Sequence, residues 1–175
     1  TQMMEDTDYW DTMYQYFMKE QQYRYVCITC PSFEPESCLV IGADSTLTLI
    51  TLDKQIYSYL RSGKKDEKRP VASRKSLTVS ANFVKDLQNL IDLGSLTSNA
   101  YASSRMLDGT TNYFLSYRRG FHSSKTHADG KNANGGNEAC QLMVLINEIR
   151  DAVAGNKAFD EADLTTRVRK LHKHI

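Results

Sequence analysis

Thr46-Leu47-Thr48-Leu49-Ile50-Thr51-Leu52 alternates hydroxyl-bearing and apolar residues along most of its length. Side chains on a strand alternate between faces, so this stretch predicts a half-buried antiparallel strand. Its neighbours repeat the signal. Upstream, Tyr23 to Thr29 is almost wholly β-branched, aromatic or cysteine, and Ser37 to Ile41 has the same character. Between them, Pro31-Ser32-Phe33-Glu34-Pro35-Glu36 reads as an exposed turn. Gly42-Ala43-Asp44-Ser45 predicts a second turn or a bulge. Short strands joined by short turns give an antiparallel sheet rather than a parallel one, which needs long crossovers.

Further along, Ile56 to Leu60 reads as more strand or a short helical turn. The most polar interval follows, a mobile basic loop near 61–75 that carries Arg61, Lys64, Lys65, Lys68, Arg69, Arg74 and Lys75. A short strand is expected at Ser76 to Val79. Two more strands are expected at Arg105 to Leu107 and Thr111 to Tyr117, joined by a hairpin at Asp108-Gly109, with a third at Phe121 to Thr126.

Helical periodicity surrounds these strands. Trp10, Met13, Tyr14 and Phe17 fall at i, i+3, i+4 and i+7, capped by Thr7 or Asp8 and ending near Glu20. Asp6, Asp8 and Asp11 are charges at that helix start. Ser80 caps a second helix that buries Phe83, Val84, Leu87, Leu90 and Ile91 and stops at Gly94. Asn137 caps a third with Leu142, Leu145, Ile146, Ile149 and Val153 on one face. A last helix starts at Asp160 and buries Leu164, Val168 and Leu171. Strands grouped between helices predict a single α+β domain over 1–175, mainly antiparallel sheet, with helices packed on one face.

Composition excludes several classes. At 175 residues the chain is long enough for one proper core. Three prolines and ten tyrosines argue against disorder throughout. A net charge of +1 offers no general attraction to nucleic acid, so no nucleic-acid partner is expected. No apolar run is long enough for a transmembrane segment. The polar start Thr1-Gln2, ahead of an amphipathic helix, leads us to expect export to the periplasm or cell surface, with the cytoplasm as the other placement.

Four cysteines stand at Cys27, Cys30, Cys38 and Cys140. Cys27 and Cys30 spell C-x-x-C inside a strand, where residues three apart lie about 10 Å apart and face opposite sides. A disulfide needs Cα atoms within about 7 Å, so these two should not pair, whereas Cys30 and Cys38 can meet across a hairpin. No second ligand pair stands at zinc spacing, and His122, His127 and Asp129 sit too awkwardly along a strand to share a metal. Gly130 to Gly136 lacks the Gly-Lys-Ser/Thr of a phosphate loop, and no serine sits in a G-x-S-x-G elbow. No cofactor is expected.

What remains is a surface. Tyr113, Tyr117, Arg118, Arg119, Phe121, His122 and His127 combine the aromatic and arginine types that dominate interfaces, and a glycine-rich loop to Gly136 continues them. The expected function is non-enzymatic binding of a protein partner or unknown ligand by this 113–136 strand-loop surface. The alternative is a cysteine hydrolase using Cys140, near a helix start, with His122 or His127 as base.

Leu107-Asp108-Gly109-Thr110-Thr111-Asn112-Tyr113-Phe114 resembles a hairpin segment of small, uncharacterised exported α+β proteins of Bacteroidetes. Asn112 stands where that pattern usually has an aromatic residue. The resemblance spans about Arg105 to Val153, brings no catalytic residues with it, and implies export.

Overall fold

The computed structural model describes residues 6–19, 25–62, 68–97, 109–116, 120–126 and 138–173. Its strands are β1 (Tyr25–Pro31), β2 (Ser37–Ile41), β3 (Thr46–Leu52), β4 (Ala72–Thr78), β5 (Gly109–Ser116) and β6 (Gly120–Thr126). Its helices are α1 (Asp6–Phe17), α2 (Ile56–Arg61), α3 (Ala81–Thr97), α4 (Glu138–Ala154) and α5 (Glu161–His172). The strands form one sheet in the order β4-β3-β2-β1-β5-β6, and every neighbouring pair is antiparallel. The first four strands form a meander. The connection through α3 then carries the chain from edge strand β4 to the far side of β1.

The α+β class and the antiparallel sheet are as the sequence predicts. The distribution of helices differs in one respect, because both faces of the sheet are covered. On one face, α3, α4 and α5 pack on Cys27, Leu39, Ile41, Leu47, Leu49 and Phe114. On the other, Met13 and Phe17 of α1 and Ile56, Tyr59 and Leu60 of α2 pack on Val26, Ile28, Cys38, Val40, Ile50 and Leu52. The cause lies in the inner strands. Residues 26–29 of β1 and 38–41 of β2 are buried without alternation, so each strand has an apolar side to cover on both faces. A fully buried Ile or Leu contributes about 1.5–3 kcal/mol, which makes a second helical layer worth ordering.

Local chemistry explains the element boundaries. Ser80 caps α3 by accepting from the Phe83 amide at 3.1 Å, and Asp160 caps α5 by accepting from the Asp163 amide at 3.0 Å. α3 continues through Gly94 to Thr97, because one glycine in a helix whose apolar face is fully packed costs only about 1 kcal/mol. α1 begins at Asp6, so Thr7 and Asp8 lie within the helix rather than ahead of it. Ile56 to Leu60 is helical, and the Glu36 carboxylate holds its first amide at 2.9 Å.

β4 reaches back to Ala72, which places Arg74 and Lys75 in the sheet. Apart from Leu77, β4 is exposed along its length, and its charges suit a sheet edge. Lys75 Nζ donates to the Ala154 carbonyl at the end of α4 at 2.5 Å, a cation at the negative pole of the helix. Gly109 is the first residue of β5 and pairs with Thr126 of β6. Asp108, the expected strand at 105–107 and the Asn137 cap lie outside the described residues.

Candidate functional site

The α1 side of the sheet carries an aromatic cluster. α1 points Met13 and Phe17 into the core and leaves Trp10 and Tyr14 38% and 48% exposed. The buried stripe therefore runs through 13 and 17, with Tyr9 and Tyr16 beside it, and not through all four residues that the i, i+3, i+4, i+7 spacing picks out. Trp10 meets Tyr113 of β5 edge-on, with ring centroids 4.7 Å apart and planes at 81°. Tyr113 sits opposite Ile28 in register and is itself half-buried against the α1-side core. Tyr9 adds a third ring, 6.4 Å from Trp10.

A buried carboxylate fixes this cluster in place. The Tyr9 hydroxyl donates to Glu36 Oε1 at 2.9 Å, while Glu36 Oε2 accepts the Ile56 amide at 2.9 Å. Glu36 is 2% exposed and so ties α1, the residue before β2 and the start of α2 together. Burial, aided by Cys30 and Glu36, pushes the Tyr9 hydroxyl far above the usual tyrosine range. Tyr16 donates to the Pro70 carbonyl at 2.6 Å and anchors the other end of the helix. Gln55 Nε2 donates to the carbonyls of Ser32 and Glu34 at 3.1 and 3.0 Å. That contact holds the turn bearing Phe33, 76% exposed.

The three described cysteines are free thiols. Cys38 lies opposite Ile28 in register, which leaves Cys30 diagonal to it, and the expected Cys30–Cys38 bridge is not formed. Cys30 Sγ contacts Met13 Sδ at 3.7 Å instead. Burial pushes the Cys30 thiol up to about 12, against the lowering effect of the Tyr9 hydrogen bond. Cys27 is likewise pushed up to about 12 by burial, with Arg150 opposing, and Cys38 is raised by burial as well. None of these thiols is primed as a nucleophile at neutral pH.

The opposite face holds a polar cluster under α4. Arg150 NH1 donates to Thr29 Oγ1 at 2.8 Å and lies 3.5 Å from the Cys27 carbonyl. Arg150 NH2 donates to Ser37 Oγ. The Thr29 hydroxyl in turn donates to Asn112 Oδ1 at 2.7 Å. The pairings Thr29↔Ser37 and Thr29↔Asn112 bring these side chains together across β2, β1 and β5. Desolvation lowers the pKa of the Arg150 guanidinium, with only neutral oxygens bonded to it among the described residues.

Of the residues singled out from sequence, Tyr113 is placed in the aromatic cluster. Phe121 and His122 stand in β6, opposite Phe114 and Tyr113 in register. Tyr117, Arg118, Arg119 and His127 lie outside the described residues, as does the loop to Gly136. Cys140 falls in the first turn of α4, and the geometry of its thiol with His122 or His127 lies outside the described residues too. Sequence reasoning missed Trp10 as a surface residue, and it did not read Arg150, Thr29, Ser37 and Asn112 as members of a site. Two signals pointed to the second group: an arginine flanking the apolar stripe of α4, and an asparagine inside an otherwise strand-like run.

Among the described residues, no group of three His, Cys, Asp or Glu side chains is arranged to hold a metal ion. No described helix is long and apolar enough to cross a membrane. Compared with known protein families, with curated proteins and with solved structures, the chain matches none.

Proposed function

We propose that this protein is a non-enzymatic binding module that docks a protein partner on the α1 side of its sheet, around Trp10 and Tyr113, with the 113–136 strand-loop surface extending the contact. The observation that supports this is Trp10. It is the single tryptophan of the chain, it remains 38% exposed, and Tyr113 holds its ring edge-on. A large, oriented and half-solvated aromatic side chain is the type that anchors interfaces, because it gains area on binding with little entropy left to lose. Tyr14, one helical turn further on, widens the same exposed side. Export belongs to the same proposal and draws on the hairpin resemblance. The three free thiols mean that the described fold needs no oxidising compartment.

The test is affinity capture from the source cells with the wild-type chain, Trp10→Ala, Tyr113→Ala and a distant surface control, Lys157→Ala. The reading expects a protein held by the wild type and the control, and lost at least tenfold from the first two variants. Each variant must keep its thermal midpoint within a few degrees, as expected for a half-exposed position. A partner retained equally by all four chains would refute the assignment of this surface.

A further inference from the structure

We propose that Arg150 and Asn112 form a site for a small oxyanion, a carboxylate or a phosphate, between α4 and the sheet. This site lies on the face opposite Trp10, and neither reading depends on the other. The cluster has a surplus of donors and no negative charge. An arginine side chain is always protonated and carries five N–H donors in a rigid fork. Its described partners are the Thr29 and Ser37 hydroxyls and, at the limit of bonding distance, the Cys27 carbonyl. The rest of the fork has no acceptor among the described residues. Arg150 is half-buried, and a guanidinium partly withdrawn from water favours an anionic partner.

The described carboxylates of the neighbouring elements are engaged elsewhere. Asp151, next in the chain, lies 3.9 Å from Lys157. Glu148 pairs with Arg167. Asp92 accepts the Tyr25 hydroxyl at 2.5 Å. Glu36, on the other face, is held by Tyr9 and the Ile56 amide. Asp151 acts on the Arg150 charge through space, and no described carboxylate is hydrogen-bonded to the fork.

Asn112 gives the second, independent observation. It is 4% exposed, and its Oδ1 is occupied by the Thr29 hydroxyl. Its amide nitrogen, a donor of two hydrogens, has no partner among the described residues. A donor at that burial normally has a partner. The Arg150 fork and the Asn112 amide flank one hydroxyl, Thr29 Oγ1, which bonds to both. An oxyanion offers two or more acceptor oxygens on one compact group, and a bidentate guanidinium is its usual protein ligand. Neutral ligands of the same size would satisfy the amide without pairing the guanidinium.

The experiment is an NMR titration of the full chain with inorganic phosphate and, separately, with acetate, each at ionic strength held constant with sodium chloride. The Asn112 side-chain amide and the Arg150 Nε–H are expected to shift together and saturate, with half-saturation at or below about 1 mM. Saturation by phosphate alone assigns a phosphate group, and saturation by acetate alone assigns a carboxylate. Asn112→Asp places a carboxylate beside the guanidinium and is expected to abolish the response while the thermal midpoint stays level or rises. Arg150→Gln is expected to abolish it as well, which keeps the test decisive if the first variant does not fold. A linear, unsaturated drift with both anions would overturn the proposal, and so would a saturating response that survives in a folded variant.

Discussion

Raising the pH from 8 to 10 should destabilise this protein, and two fully buried thiols should account for much of the loss. Cys27 and Cys38 are 1% and 0% exposed, and burial raises both pKa values, to about 12 for Cys27. In the unfolded chain a cysteine titrates near about 8.5. The folded state therefore keeps a proton that the unfolded state releases. The associated stability is fully present below the unfolded pKa and is lost as pH rises towards the folded one. Between pH 8 and 10 the loss is about 1.5–2 kcal/mol for each thiol, or about 3–4 kcal/mol together. That is a large part of the 5–15 kcal/mol typical of a domain. The assay is urea denaturation at half-unit pH steps on the wild type, Cys27→Ala and Cys38→Ala. Tyrosines and lysines also begin to titrate in this range, so the quantity to read is the difference in slope. Each variant should lose about 1.4 kcal/mol of steepness per pH unit above pH 9, whatever its offset from the lost side-chain volume. Parallel pH profiles for the three proteins would refute the burial of these thiols as protonated groups.

Two further perturbations address the polar ties. Glu36→Ala removes the acceptor for the Tyr9 hydroxyl and for the first amide of α2 at once, and should cost about 3 kcal/mol in urea denaturation at pH 7. Arg167 meets Glu148 through its two terminal guanidinium nitrogens, and the hydrogen bond from Arg167 holds the Glu148 carboxyl below the usual range. The pair is about one-third exposed, so Glu148→Gln should cost under about 1 kcal/mol at pH 7. Its stabilisation is present above the unfolded pKa of about 4.3 and is lost as pH falls through the lower folded value, so the two proteins should converge in thermal midpoint as the pH is taken below that value.

What the sequence discloses and what it withholds divide along physical lines. Period-two alternation at Thr46–Leu52 and the apolar stripes at 83–91 and 142–153 report local geometry, and local geometry is what those elements have. The class of the fold followed from them. The second helical layer was harder to see. In β1 and β2 the apolar run is continuous, and a continuous run says that both faces are buried without saying by what. The helix that covers the second face was itself misjudged by one step of rotation. Aromatic residues at 9, 10, 14 and 16 flank Met13 and Phe17 on both sides, so spacing alone does not locate the centre of the buried stripe. Placing it wrongly hid Trp10 inside a core where it does not sit.

The Arg150 cluster was out of reach for a different reason. Arg150 and Thr29 are 121 positions apart, and Thr29 and Asn112 are 83 apart. Their meeting depends on β1 pairing with β5 rather than with its chain neighbours alone, and on a helix crossing above them. Nothing periodic encodes that. The trace left in the sequence is disagreement between residue and context: a charge beside an apolar stripe, and an amide in a strand position that suits a large apolar side chain. Each is tolerable alone. A protein that buries the amide and half-buries the guanidinium against one threonine hydroxyl, with no described carboxylate bonded to either, has accepted a cost that those hydroxyl contacts only partly offset. Local rules are most often broken at sites that serve something other than folding, which is why the anion titration, and not a stability measurement, is the informative experiment for these residues.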